Sequence, residues 1–191
     1  MTSFLFELRI YTGRIRLFDQ RDWLVWSAWV SLLASLCAAT LGFVLFGSAH
    51  GVTFPPEAWL VSVGAAVFTV ASAVDAIGHR TIYKEEIRRA EGLVHGVTIL
   101  CGIASCVLLC AAFRGGRAAS IPAAVFTALS VLYSVVDEAF HWRRYLSAQS
   151  DRVEMWSHVF IFTGHLTMMA AWWAWLLSGY AGVEATLRAA A

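Results

Sequence analysis

Five stretches of the chain contain no Asp, Glu, Lys or Arg: residues 23–56, 58–74, 92–113, 118–136 and 155–183. A helix needs about 20 mostly apolar residues to cross the hydrocarbon layer. The pattern therefore predicts five spans, near 23–47, 57–79, 92–113, 120–142 and 154–178. The second reaches that length only by taking in Asp75 and His79. Lipid excludes unsatisfied backbone, so these spans should be α-helices packed together. The expected fold class is all-α: a polytopic membrane protein with five transmembrane helices, of which helices 2–5 form a pseudo-two-fold four-helix bundle.

Pro55–Pro56 breaks the chain after the first span and Gly115–Gly116 after the third. Pro122 suits the first turn of the fourth helix, where its missing N–H costs little. Residues 1–191 read as a single membrane domain, with residues 1–20 an N-terminal amphipathic segment lying in the interface.

Composition agrees with this reading. The chain is 59% hydrophobic and only 14% charged, against about 25% charge in a soluble domain. That excludes a disordered chain, a coiled coil, a nucleic-acid-binding arm and an ordinary soluble enzyme. Cys37, Cys101, Cys106 and Cys110 all lie in apolar runs and read as small buried hydrophobes. The N-terminus is no convincing signal peptide, because Glu7, Arg9, Arg14 and Arg16 are mixed with its apolar residues.

The few charges fix an expected orientation. Arg9, Arg14, Arg16 and Arg21 precede the first span. Arg80, Lys84, Arg88 and Arg89 follow the second, and Arg143, Arg144 and Arg152 follow the fourth. The other side holds Arg114, Arg117 and Arg188. The positive-inside rule places the N-terminus in the cytoplasm and the C-terminus outside, in a bacterial inner (plasma) membrane. Trp23, Trp26, Trp59, Trp142, Trp172, Trp173 and Trp175 fall near span ends, as an aromatic belt would.

Spans two to five share a second pattern. Asp75, Glu91, Asp137 and Glu154 each stand four residues before a histidine: His79, His95, His141 and His158. Residues four apart share a helix face. The two halves also correspond: Val74-Asp75 with His79 matches Val136-Asp137 with His141, and Glu91 with His95 matches Glu154 with His158. This suggests two helical hairpin repeats, 57–113 and 120–178, related by an axis along the membrane normal.

Alternating helix directions then predict two layers near one end of the bundle. The inner layer holds Asp75, His95, Asp137 and His158. The outer holds His79, Glu91, His141 and Glu154. Ionisable groups inside a membrane bundle face one another or a cavity. Eight such ligands suit a metal centre of two or more ions, most naturally iron, with manganese or zinc as alternatives. The plain alternative is a hydrogen-bonded network neutralised by the arginines. His165, seven residues beyond His158, and Glu138, beside Asp137, are candidate catalytic or relay residues.

The leading expectation is a metal-dependent membrane oxidoreductase with a non-haem di-iron type centre. It would act with oxygen on a lipid, quinone or other apolar or amphipathic small molecule, drawing on an electron donor. Membrane lipids are its expected surroundings, and no nucleic acid is expected as a partner. Three other classes fit the same residues less fully: a divalent-metal transporter or sensor, a single-haem b-type cytochrome, and a structural membrane subunit.

Overall fold

The computed structural model describes residues 3–82, 89–147 and 151–191, with residues 89–91 described by backbone alone. The described elements are α1 (Phe4–Gly13), a 3-10 turn (Arg14–Leu17), α2 (Gln20–Ala49), α3 (Pro56–Thr81), α4 (Arg89–Gly115), α5 (Arg117–Leu146), α6 (Arg152–Leu177) and α7 (Val183–Ala189). Among the described residues there is no strand. Helices α2 to α6 are the five long and apolar enough to cross a membrane.

The helix ends follow from local chemistry. Helix α2 begins ahead of the uncharged run because Asp19 and Asp22 form a capping box, each side chain accepting from the other's backbone N–H. Asp151 caps α6 by accepting from the Glu154 N–H. Pro56 opens α3. Gly116, at φ 51°, ends α4, and α5 begins at once at Arg117. Pro122 therefore sits inside α5, one turn later than the sequence predicts.

Helix α3 packs along α6, and α4 along α5, while α2 lies against α3. Exchanging α3 with α5 and α4 with α6 maps one of the two main pairs onto the other. Backbones approach most closely where α3 crosses α6. A Cβ added to Gly64 would lie 2.5 Å from the Met168 backbone nitrogen, and one on Gly164 would lie 2.7 Å from that of Phe68. Small residues allow this contact, from which membrane helices draw much of their association energy.

The main apolar core lies toward the α7 end and includes Val44, Val61, Leu109, Ala123, Met168 and Met169. Trp172 and Trp175 belong to it, at 3% and 6% exposed, so they are core residues and not part of an interfacial belt. Their large rings fill the space beside Phe54 and Tyr180. Trp23 and Trp142 remain exposed. Cys110 differs from the other cysteines in facing outward.

At the opposite end, α1 closes the bundle. Buried Tyr11 packs with Ile77 of α3 and Val153 of α6. Arg152 reaches Glu7 at 3.4 Å. Asp22, fully buried, meets Arg80 at 2.6 Å and so ties the start of α2 to the end of α3. Among the described residues, the α4 backbone does not closely approach that of α2 or α3, although the His95 ring of α4 meets the His79 ring of α3 edge to face at 5.4 Å between centroids. That opening leaves a cavity, one end of which is lined by Asp75, His79, His95, Asp137 and His158.

Candidate metal centre

Four helices deliver ionisable side chains to the α1 end of the bundle. Asp75 and His79 occupy one face at the end of α3, and Asp137 and His141 the corresponding face of α5. His95 comes from the start of α4 and His158 from the second turn of α6. The helical spacing of four residues puts each Asp beside its own His: His79 Nε2 lies 3.2 Å from Asp75 Oδ2, and His141 Nε2 lies 3.7 Å from Asp137 Oδ1.

Each aspartate also meets a histidine of the other hairpin. Asp75 Oδ1 lies 3.2 Å from His158 Nε2, and Asp137 Oδ1 lies 3.2 Å from His95 Nδ1. The side chains thus fall into two sets, Asp75–His79–His158 and Asp137–His141–His95. The correspondence between the chain's halves exchanges one set with the other. The sets adjoin: the rings of His141 and His158 stack at 3.3 Å between centroids. The two expected layers therefore merge into one cluster.

Hydrogen bonding leaves part of this cluster unexplained. Asp75 Oδ1, Asp137 Oδ1 and His158 Nε2 are buried without a hydrogen bond among the described residues. At 3.2 Å the Asp75–His158 pair is close enough for one but is not aligned for it. Donor atoms around one ion at about 2.1 Å lie about 3.0–3.4 Å from each other and point at the ion, not at one another. The observed spacing and misalignment fit that arrangement. Single donor atoms of His79, His141 and His158 lie within 4.8 Å of one another, as do those of His95, Asp137 and His141.

Two glutamates stand behind the imidazoles. Glu154, 1% exposed, lies 3.1 Å from His141 Nδ1, and Arg144 balances its charge at 3.2 Å. Glu138 lies 3.3 Å from His158 Nδ1. A carboxylate on one ring nitrogen fixes the tautomer and turns the other nitrogen toward the centre, as in carboxylate–histidine–metal triads. The geometry gives Glu154 this orienting position behind His141, where the sequence suggests a direct ligand. It gives Glu138 the same position behind His158. The Glu91 side chain lies outside the described residues.

His165 stands apart. It is buried two turns along α6 from His158, with Nε2 3.1 Å from Ser130 Oγ and Nδ1 3.4 Å from Ser134 Oγ. Ser130 also donates to the Thr98 carbonyl. One consistent chain satisfies every atom: Ser134 donates to Nδ1, Nε2–H donates to Ser130, and Ser130 donates to Thr98. Both nitrogens are then occupied, and His165 is a lining residue of the cavity and not one of the clustered donors. The serines carry a sequence signal of their own. Ser72 and Ser134 each stand three residues before the aspartate of their half, and Ser130 lies seven before Asp137.

The cavity has a volume of about 600 Å³. One end is walled by Asp75, His79, His95, Asp137 and His158; beyond them come Thr98, Ser130 and His165, then Phe68, Ile103, Cys106, Met168 and Met169. Arg80 stands at the charged end, paired with Asp22. Compared with protein-family models, curated proteins and solved structures, the chain matches none.

Proposed function

We propose that this chain is a metal-dependent membrane oxidoreductase. Two divalent ions, iron by the chemistry of the donors, would be held among Asp75, His79, His95, Asp137, His141 and His158, whose donor atoms gather most closely as His79–His141–His158 and as His95–Asp137–His141. The observation that carries this reading is that Asp75 Oδ1, Asp137 Oδ1 and His158 Nε2 are buried without a hydrogen bond among the described residues, Asp75 Oδ1 lying 3.2 Å from His158 Nε2 and Asp137 Oδ1 3.2 Å from His95 Nδ1. Two imidazoles and one carboxylate with open positions form the donor set associated with non-haem Fe(II) oxygen chemistry. Bound there, iron would supply the electron transfer and oxygen activation that no side chain of the cavity offers.

The protein's own residues do the rest. Glu138 and Glu154 orient His158 and His141. Arg144 offsets the charge of Glu154. The apolar walls exclude water and admit a lipid, quinone or other apolar substrate. Carboxylates already stand at His95 Nδ1 and at both nitrogens of His158. This favours a mixed carboxylate–imidazole centre over a haem held between those two histidines. In this reading the basic clusters face the cytoplasm of a bacterial cell, and the centre lies near that side of the plasma membrane.

Metal analysis of the purified protein, with an optical spectrum, tests the proposal. The expected result is about two iron ions per chain and no Soret band. The paired variants D75A and D137A should each lose one ion. Full metal content in both would overturn the shared-site arrangement, and a Soret band would overturn the non-haem reading. Zinc alone would favour a hydrolytic, structural or transport role.

A further inference from the structure

The cavity reaches well beyond the metal centre. From His158 to Met169 is 11 residues along α6, or roughly 16 Å at the helical rise. Its polarity falls along that length, from carboxylates and imidazoles, through Thr98 and the His165–serine chain, to thioethers and hydrocarbon. Its volume lies within the range of about 300–1,000 Å³ found for small-molecule sites.

The side opening faces lipid. Val25 and Leu32 of α2, and Ile103 and Val107 of α4, line the cavity and are 42–62% exposed. All four lie in uncharged stretches of helices long enough to span the membrane. A molecule entering there comes from the bilayer interior and not from water. Inside, Thr98 lines the wall one turn from His95, and its Oγ1 is buried without a hydrogen bond among the described residues. A hydroxyl in that setting lacks a partner that a ligand oxygen can supply.

We infer that this cavity binds a single-chain amphiphile from the bilayer, its alcohol or carbonyl oxygen at Thr98 beside the metal centre and its apolar chain extending to Met168 and Met169. The inference builds on the metal-centre reading for the role of the polar end, but the binding site itself stands on the cavity's shape and polarity.

A long-chain alcohol carrying a diazirine near its terminal methyl, photolysed with the full chain in phospholipid vesicles, tests it. Met168 and Met169, each 2% exposed, are shielded from bulk lipid, so a probe reaches them only through the cavity. Mass spectrometry should find adducts on these two methionines, reduced by excess hexadecanol and much less by hexadecane. I103W, at the lipid-facing opening, should lose that labelling without losing the folded protein. Adducts confined to outward residues would overturn the inference, and equal competition by alkane would overturn the oxygen contact. Metal content measured on the same samples separates the two ideas. Metal without methionine adducts sinks this inference alone, whereas adducts without metal support it and sink the metal-centre reading.

Discussion

Replacing Glu154 with Gln is the sharpest probe of how the cluster is organised. The carboxylate faces His141 Nδ1 at 3.1 Å and Arg144 at 3.2 Å, and both Glu154 and His141 are 1% exposed. Little water screens the contact. A hydrogen bond to a charged group contributes about 1.5–3 kcal/mol. Glutamine keeps the shape and an acceptor oxygen but removes the charge, so part of that is lost and Arg144 loses its counter-charge. Removing such an orienting partner costs about 10–100-fold in metal affinity, or about 1.4–2.7 kcal/mol. Chelator-competition titration of the purified protein reads this directly. On the proposed two-ion centre, E154Q should weaken the binding step that depends on His141 and E138Q the one that depends on His158, and neither should change the other step comparably. An unaltered isotherm for E154Q, or equal weakening of both steps by each variant, would refute the assignment of one glutamate to each set.

Other predictions concern the scaffold. R80L leaves the Asp22 carboxylate buried without its arginine and should destabilise the fold by about 3–5 kcal/mol, with D22N/R80L recovering part of the loss in thermal unfolding in detergent. G164V puts a side chain into the Phe68 backbone and should abolish stable α3–α6 packing, whereas G42A, with open space around it, should be close to neutral in the same assay. Outside the spans, Tyr180 is buried and donates its hydroxyl to the Leu109 carbonyl, and burial pushes its phenol up to about 12. An unfolded phenol ionises near about 10, so this contribution to stability is constant below that pH and falls between about pH 10 and 12. Y180F should remove that alkaline slope and cost roughly 1 kcal/mol at neutral pH.

Much of the site was legible because membrane helices constrain where charge can go. The acid–histidine spacing put Asp75 with His79 and Asp137 with His141 on shared faces, and alternating helix directions paired Asp75 with His158 and Asp137 with His95. What periodicity could not supply was side-chain direction. It did not separate residues facing the centre from those standing behind it, so Glu138 and Glu154 were not recognisable as partners of His158 and His141. Nor could it place His165, whose serine partners lie on another helix.

The amino-acid sequence alone determines the five spans, because uncharged length is what the bilayer requires. It also determines which helices carry the carboxylates and imidazoles, because the acid–histidine spacing recurs on four of them. Tertiary packing decided the rest. Gly64 and Gly164 let α3 close onto α6, while α4 pairs with α5 and keeps its backbone clear of those of α2 and α3. That choice of neighbours opens the cavity, draws Trp172 and Trp175 into the core, and merges two layers of donors into adjoining sets. Which helices touch depends on the fit of side chains between them, and no spacing along a single chain encodes that fit.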